Sequence, residues 1–294
     1  MGKASRRKRQ AQGQGTKTDP EQQRAPFVAR PFEGLADETE WVAMREIVPA
    51  ATAPVTLTLP DGNPQQVTLT TVLPGAMPAL HRADGEILVA CQARTSSGDA
   101  SRDIAQAVIA AVAAEPGTPL TSVRPATMGT PRLQDLIDDQ GLTPTVHEDF
   151  SFWMDQDEVT PEAAAALEQT NEAAVPTVKI EELPSAYWCK MGGRTYIRWI
   201  LPDDEDIAVV ALARLQAAGE HTLGDDTELL GAFRAAGLLV PVLEVSPDTE
   251  ASDHVEALLA LQGRYAEALG QDDPLTPQER RAREGLISRQ VTLR

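Results

Sequence analysis

Apolar and polar positions along the chain alternate with two different periods, which predict a mixture of strands and helices. Residues 55–59 and 66–72 alternate with the period of two that is typical of half-buried strands, and the turn residues 60–63 between them predict a hairpin. Residues 36–47 instead carry apolar side chains at helical spacing, with Asp37 as the predicted N-cap. Both patterns recur to the end of the chain.

Turn and capping residues place the remaining elements. Asp84-Gly85 joins a second predicted pair of strands, residues 77–82 and 86–92, and a capping box at 276–279 predicts a C-terminal helix. Pro241 makes the last predicted strand an edge strand or a bulged one. The other predicted strands are residues 175–180, 186–191, 194–201 and 238–245, and the other predicted helices are residues 103–114, 160–172, 202–219, 226–236 and 253–269.

Both halves of the chain repeat one order of elements. Each contains a Gly-turned hairpin followed by a helix that begins with Asp-Ile-Ala, at residue 103 and at residue 206. We therefore predict an α+β fold of two related units, each a small antiparallel sheet packed with helices; chance similarity is the alternative to a duplication. The predicted divisions are a disordered basic tail at 1–30, a first unit at 31–125, a connection at 126–144, a second unit at 145–248 and a helical extension at 249–294.

The charge of the chain is acidic and unevenly distributed. The 294 residues carry a net charge of −18, but residues 1–30 carry +6 and residues 275–294 carry +3, so the remainder carries −27. Such a body repels duplex nucleic acid and anionic membranes, which leaves only the two ends to approach a polyanion. A tail that only improves solubility is the alternative interpretation. The candidate polyanion contacts are Lys3, Arg6, Arg7, Lys8 and Arg9.

Missing motifs exclude several classes of enzyme. The chain has no G-x-x-x-x-G-K-[ST] loop, no G-x-G-x-x-G fingerprint, no G-x-S-x-G elbow, no H-E-x-x-H and no C-x-x-C. The histidines do not pair at metal-ligand spacing, so we expect no cofactor and no metal. Cys91 and Cys189 are expected to be free thiols of a cytoplasmic protein without a membrane span, because the sequence shows no secretory signal and its longest apolar run, residues 107–114, is too short.

Seven of the twelve aromatic side chains lie between residues 150 and 199, which makes this region the best candidate for a ligand surface. In the predicted strand 194–201, the face of Thr195 and Trp199 is assigned to the core. The opposite face would bind an anionic or peptide ligand; pairing with acidic neighbours is the alternative. The candidate ligand face comprises Arg194, Tyr196 and Arg198.

Three segments have the most distinctive sequences: AYWCKMGGRTYIRWILP, FRAAGLLVPVLEV and DPLTPQERRAREGLISRQVTLR. In these segments, and in the N-terminal MGKASRRKRQ and RPFEGLADETEWVAMREIVPAATAPVTL, the chain resembles an actinobacterial family of unknown function. Some members of that family are automatically labelled as similar to the preprotein translocase SecA. This chain lacks SecA's nucleotide-binding motifs and cysteine-rich metal motif and is far too short. The resemblance implies no catalytic residues.

These features together favour a non-enzymatic cytoplasmic protein that acts as a protein-interaction or accessory module. The first alternative is a nucleic-acid- or ribosome-associated protein that is anchored by the basic tail. The second alternative is an enzyme with an unrecognised site, for which a deep polar pocket holding a perturbed carboxylate, Cys189 or a histidine would be evidence.

Overall fold

The computed structural model describes residues 23–94, 96–138, 140–154, 161–172 and 174–288. This part of the chain forms helices and two sheets in which antiparallel pairs dominate. The predicted α+β class is therefore confirmed.

The first sheet contains both hairpins that the N-terminal half predicts, with turns at residues 60–63 and at Asp84-Gly85. Its neighbouring strands are antiparallel except for β2 and β4, which run parallel. The spatial order of the strands is β5-β3-β4-β2-β1-β6. The strands are β1 Ala51–Thr58, β2 Pro64–Thr70, β3 Ala79–His81, β4 Ile87–Ala90, β5 Thr118–Leu120 and β6 Thr145–Val146.

Helices cover both faces of the first sheet. Helix α1, Glu38–Val42, continues as a π-helical turn to Ile47, and it packs with α2, Ala100–Val112, on the face to which β1 contributes alternate residues. Helix α3, Pro161–Glu172, lies on the opposite face together with Phe150 and Trp153. These contacts bury the apolar stripes of α1 and α2, which is the main source of helix stability in a folded protein, whereas α3 contributes the half-buried Leu167.

The second sheet is antiparallel throughout its described pairs, in the order β10-β11-β9-β8-β7. Its core face is covered by α4 Glu205–Ala218, α5 Val255–Leu269 and α6 Pro277–Ser288. The capping box at the start of α6 is present, because the Glu279 carboxylate accepts from the Thr276 N–H at 2.6 Å. The strands are β7 Thr177–Lys179, β8 Ala186–Met191, β9 Arg194–Trp199, β10 Glu228–Ala235 and β11 Leu238–Val245.

Glu228–Ala235 form a strand where the sequence predicts a helix over 226–236. Strand β10 pairs with β11 along its length. Acidic residues before the segment and Gly237 after it imitate helix caps, but Ala236 and Gly237 adopt φ of 44° and 89° and form the turn of a β-hairpin. Pairing with an apolar neighbouring strand outweighs the helix propensity of Ala and Leu here.

Pro241 lies inside the second sheet and not at its edge. Strand β11 sits between β10 and β9, so the edge-strand prediction is wrong. The bulge alternative is not met in β11 itself: the extra residue is in the neighbouring β10, whose register shifts between Leu229 and Gly231. Registered pairing of β11 with β9 begins at Val242, directly after Pro241, whose nitrogen cannot donate a hydrogen bond to β9. On the other side of the proline, the Leu239 carbonyl accepts from the Leu201 N–H at 3.0 Å.

Asp37 precedes α1 as predicted, but it does not cap the helix with its side chain. Its φ of 53° is left-handed, and its carboxylate instead accepts a hydrogen bond from the Leu142 N–H at 3.1 Å. The contact ties the start of α1 to a segment that is about 100 residues away in sequence.

The stretch between α2 and α3 extends the first sheet. It supplies both edge strands, β5 and β6, and its 3₁₀ turn places Leu133 and Leu136 in the first core. The sheet therefore runs to residue 146, beyond the predicted end of the first unit.

The two sheets meet through buried polar groups on α1. Glu40 is only 6% exposed, although it is charged. Its carboxylate lies 3.1 Å from the Lys179 ammonium of β7 and accepts a hydrogen bond from the Tyr187 hydroxyl of β8. The first core also takes in apolar residues of the second half: Ile200, Ala235, Leu238 and Val240.

Residues 24–31, which we call the N-terminal strap, cross from one sheet to the other. Arg30 in the strap donates to Glu38, just outside the first core, at 2.7 Å and 2.8 Å. The same guanidinium forms an ion pair with Asp204, which precedes α4 of the second sheet. One side chain of the strap therefore contacts both halves of the protein.

Two glycines let the strap approach the body closely. The Val28 N–H donates to the Gly98 carbonyl at 2.9 Å, and a Cβ at Gly98 would lie 3.2 Å from the strap backbone. A Cβ at Gly237 would lie 2.7 Å from the Arg30 Cβ, closer than real Cβ atoms approach. Both glycines also have positive φ, so any side chain there adds backbone strain.

Candidate functional site

A cleft of about 700 Å³ lies where the loop after β4 leads into α2. The strap closes one side of it, and the loop at 123–127 closes the other. Four arginines from separate parts of the chain line this space, which we call the arginine cleft: Arg24, Arg45, Arg94 and Arg124. A concentration of positive side chains is unexpected in a chain with net charge −18.

Backbone carbonyls hold two of these arginines in place. Arg24 donates to the carbonyls of Ser96 and Ser97 at 2.7 Å and 3.2 Å. Arg45 donates to the Cys91 carbonyl at 2.6 Å and lies 3.2 Å from the Glu46 carboxylate. Both guanidinium groups are therefore oriented before any ligand arrives, which lowers the entropy cost of binding.

The other two arginines have no anionic partner in the part of the chain that the structure describes. Arg94 and Arg124 are exposed, and among the described residues neither has a carboxylate within 4.0 Å. The acidic side chain of the cleft, Asp103, is bound by the Ser97 N–H at 3.0 Å and 3.1 Å. Guanidinium groups of this kind form strong bidentate bonds to carboxylate or phosphate.

The floor of the cleft is apolar. Its side chains are almost fully buried, and they belong to Ala90, Cys91, Ile104, Ala107 and Ala126. Burial raises the pKa of the Cys91 thiol to about 12, so the sulfur is a neutral apolar group at physiological pH. The arrangement can bind an anion against an apolar surface, but Cys91 does not supply a nucleophile.

A second cavity, about 980 Å³, lies beneath α3, and the arginine that lines it is already paired. Arg82 binds the Glu86 carboxylate at 2.5 Å, and His147 forms a 2.8 Å hydrogen bond with the Thr52 hydroxyl. Within the described residues, no group of three His, Cys, Asp or Glu side chains could hold a metal ion.

The predicted ligand face on β9 is present as a face, although its groups differ in accessibility. Arg194 is exposed and forms an ion pair with Glu244 of β11. Tyr196 is only 8% exposed and packs with Cys189. Arg198 is half-buried beside the same thiol. The role of this face in binding stays a prediction. The opposite face, represented by Thr195 and Trp199, is buried as expected.

The candidate polyanion contacts of the tail lie outside the described residues, and their role stays a prediction. These residues are Lys3, Arg6, Arg7, Lys8 and Arg9.

No sequence pattern predicts the arginine cleft. Its four arginines are spread over about 100 residues, so no local motif contains them. One local signal was available: Arg94 is followed by Thr-Ser-Ser-Gly, a polar loop between a predicted strand and a predicted helix, where anions often bind.

Comparison with known proteins identifies a family but no function. No helix of the described ranges is long and apolar enough to cross a membrane. Neither a curated protein nor a solved structure matches the chain. A family described as being of unknown function, DUF5926, matches residues 31–294, which include α1 to α6 and both sheets. The chain therefore belongs to the family of unknown function DUF5926.

Proposed function

We propose that this protein is a non-catalytic binding module of the cytoplasm, and that the arginine cleft holds a negatively charged group of its ligand. The interaction or accessory role that the sequence favours would then be carried out at the arginine cleft.

The observation that supports it most directly concerns Arg94 and Arg124, which have no carboxylate partner among the described residues and line a cleft whose other two arginines are already oriented. Surface arginines of an acidic protein usually find carboxylates, because there are 44 Asp and Glu for 26 Lys and Arg in this chain. A cleft that leaves such groups without partners is suited to an anion from outside the chain.

The chemistry of the thiols supports binding over catalysis. Burial raises the pKa of Cys91 and of Cys189, and the positive charge of Arg198 opposes the shift at Cys189 only in part. A thiol with a raised pKa is a poor nucleophile near neutral pH.

Thermal unfolding in the presence of simple anions tests the proposal. At equal ionic strength, phosphate or citrate should raise the melting temperature of the wild type relative to chloride, because a ligand that binds only the folded state stabilises it. The R94E/R124E variant should lose this increase. The matched control is R281E, which reverses an exposed charge on α6, and it should retain the increase.

Two results would contradict the proposal. Phosphate and citrate could fail to stabilise the wild type at any concentration up to the millimolar range. Alternatively, the R94E/R124E variant could be stabilised as much as the wild type, which would place the anion elsewhere on the molecule.

A further inference from the structure

We infer that the ligand of the arginine cleft is a small dianion carried on a short apolar group, such as a phosphate monoester of an aromatic or alkyl alcohol. This inference rests on the proposed function and specifies the class of ligand.

The charge balance of the cleft favours a dianion. Arg45 has a carboxylate neighbour in Glu46, at 3.2 Å. Arg24, Arg94 and Arg124 have none within 4.0 Å among the described residues, and Asp103 contributes one negative charge. About two positive charges therefore remain unbalanced, and a monoanion would leave one of them uncompensated.

The accessible apolar lining of the cleft favours an apolar carrier. Above the buried floor, Ala93, Val123 and Pro125 line the cleft as an apolar wall and keep part of their apolar surface exposed. A polar carrier such as a sugar would lose hydrogen bonds to water there without replacing them, whereas an apolar group gains from leaving water.

The size and charge of the surroundings favour a small molecule over a polymer. A volume of about 700 Å³ is typical of pockets that enclose small ligands. A nucleic acid would also have to approach a body that carries −27 outside its ends, and long-range repulsion opposes that approach.

Calorimetry with four defined probes tests the inference: phenyl phosphate, inorganic phosphate, benzenesulfonate and benzyl alcohol. Titrations are made at about pH 8, where both phosphate probes are mainly dianions, because the second pKa of a monoester is near 6 and that of inorganic phosphate is higher but still below 8. Phenyl phosphate should bind at least about tenfold more tightly than each of the other three, since it alone combines two charges with a buried ring.

Three variants separate the contribution of the arginine charges from that of the apolar wall. R94A/R124A should weaken phenyl phosphate by about tenfold or more, because charge-assisted hydrogen bonds are lost. V123S should weaken phenyl phosphate but leave inorganic phosphate unchanged, because it removes apolar wall and no charge. R281A should bind all probes as the wild type does. Val123 and Arg281 are not in the buried core, so these variants keep the fold intact.

The outcomes separate this inference from the proposed function. Equal affinity for phenyl phosphate and for either other anion, with both lost in R94A/R124A, would overturn the inference and leave the proposed function standing. Anion binding that is absent up to millimolar concentration, or that survives in R94A/R124A, would overturn both.

Discussion

The Tyr187 hydroxyl donates a hydrogen bond to the buried Glu40 carboxylate and thereby joins the second sheet to the first helix. Burial, together with the negative charge of Glu40, raises the pKa of Tyr187, so the phenol remains a proton donor at physiological pH. Lys179 balances the carboxylate from the neighbouring strand. The junction of the two halves thus depends on a charged group that neither half could bury alone.

Removing one member of this cluster should therefore cost more than removing the ion pair as a whole. We expect E40A to lose about 3 kcal/mol, the lower end of the cost of breaking a buried ion pair, because it leaves the largely buried Lys179 ammonium with only the exposed Glu181 carboxylate, 3.9 Å away. Y187F should lose about 1–3 kcal/mol, the cost of an unsatisfied buried acceptor. The double variant E40A/K179M should recover part of the loss in E40A. Urea unfolding measures all three, and an E40A protein with the wild-type midpoint would contradict the prediction.

The close approach of the strap predicts different effects of two similar glycine substitutions. Gly193 and Gly237 both turn a β-hairpin with positive φ, but only Gly237 would place a Cβ against the strap. G193A should cost roughly 1–2 kcal/mol from backbone strain alone. G237A should cost more and should also release the strap. Chymotrypsin cleavage after Phe27 should then accelerate in G237A and not in G193A. Equal cleavage of both variants would contradict the prediction that the close approach at Gly237 holds the strap in place.

The two thiols should be unreactive in the folded protein. Because burial raises the pKa of both Cys91 and Cys189, the thiolate fraction at neutral pH is small, and both sulfurs are buried as well. Iodoacetamide should modify neither residue in buffer and both in urea, as measured by mass spectrometry, with no bridge between them. Rapid native labelling of Cys189 would instead support an enzyme with an activated thiolate.

Acidification should destabilise the protein through its histidines. Burial lowers the pKa of His147, His221 and His254 in the folded state, so each binds its proton more readily when the chain unfolds. Their contribution to stability is complete above the unfolded pKa of about 6.5 and is lost as the pH falls through the lower folded values. H147Q should flatten the decline of melting temperature below about pH 6.5. A decline as steep as in the wild type would contradict this assignment.

Any affinity for nucleic acid should reside in the tail and be insensitive to sequence. Contacts of the five basic residues among the first ten with phosphates predict a log–log salt dependence of about −4 to −5 on duplex DNA. Deletion of residues 1–10 should abolish binding and leave the melting temperature unchanged. If the truncated protein still bound DNA or RNA at physiological salt, the site would be on the folded body, with the β9 face or the C-terminal arginines as the next residues to substitute.

Local signals predicted the fold well where turn chemistry decides it. The hairpin turns at Asp84-Gly85 and Gly192-Gly193, and the capping box that opens α6, follow from residues adjacent in sequence. Strand β10 could not be predicted in this way, because its conformation depends on pairing with β11 and not on its own propensities.

The candidate site was less predictable than the fold, since its parts meet only in three dimensions. Arg24 and Arg124 are 100 positions apart, and nothing in the sequence around either indicates that they share a cleft. The burial of Glu40 could not be predicted either, because its partners lie on strands of the other sheet.

The double attachment of Arg30 has a consequence for synthesis on the ribosome. Arg30 and Asp204 are separated by 174 positions, which corresponds to roughly 9–35 s at 5–20 residues per second. During that interval the strap has only its partners in the first half, such as Glu38 and Gly98, and its second anchor does not yet exist. In the nascent chain the strap is therefore attached only to the first half. It contacts the second half when the two halves dock, late in synthesis.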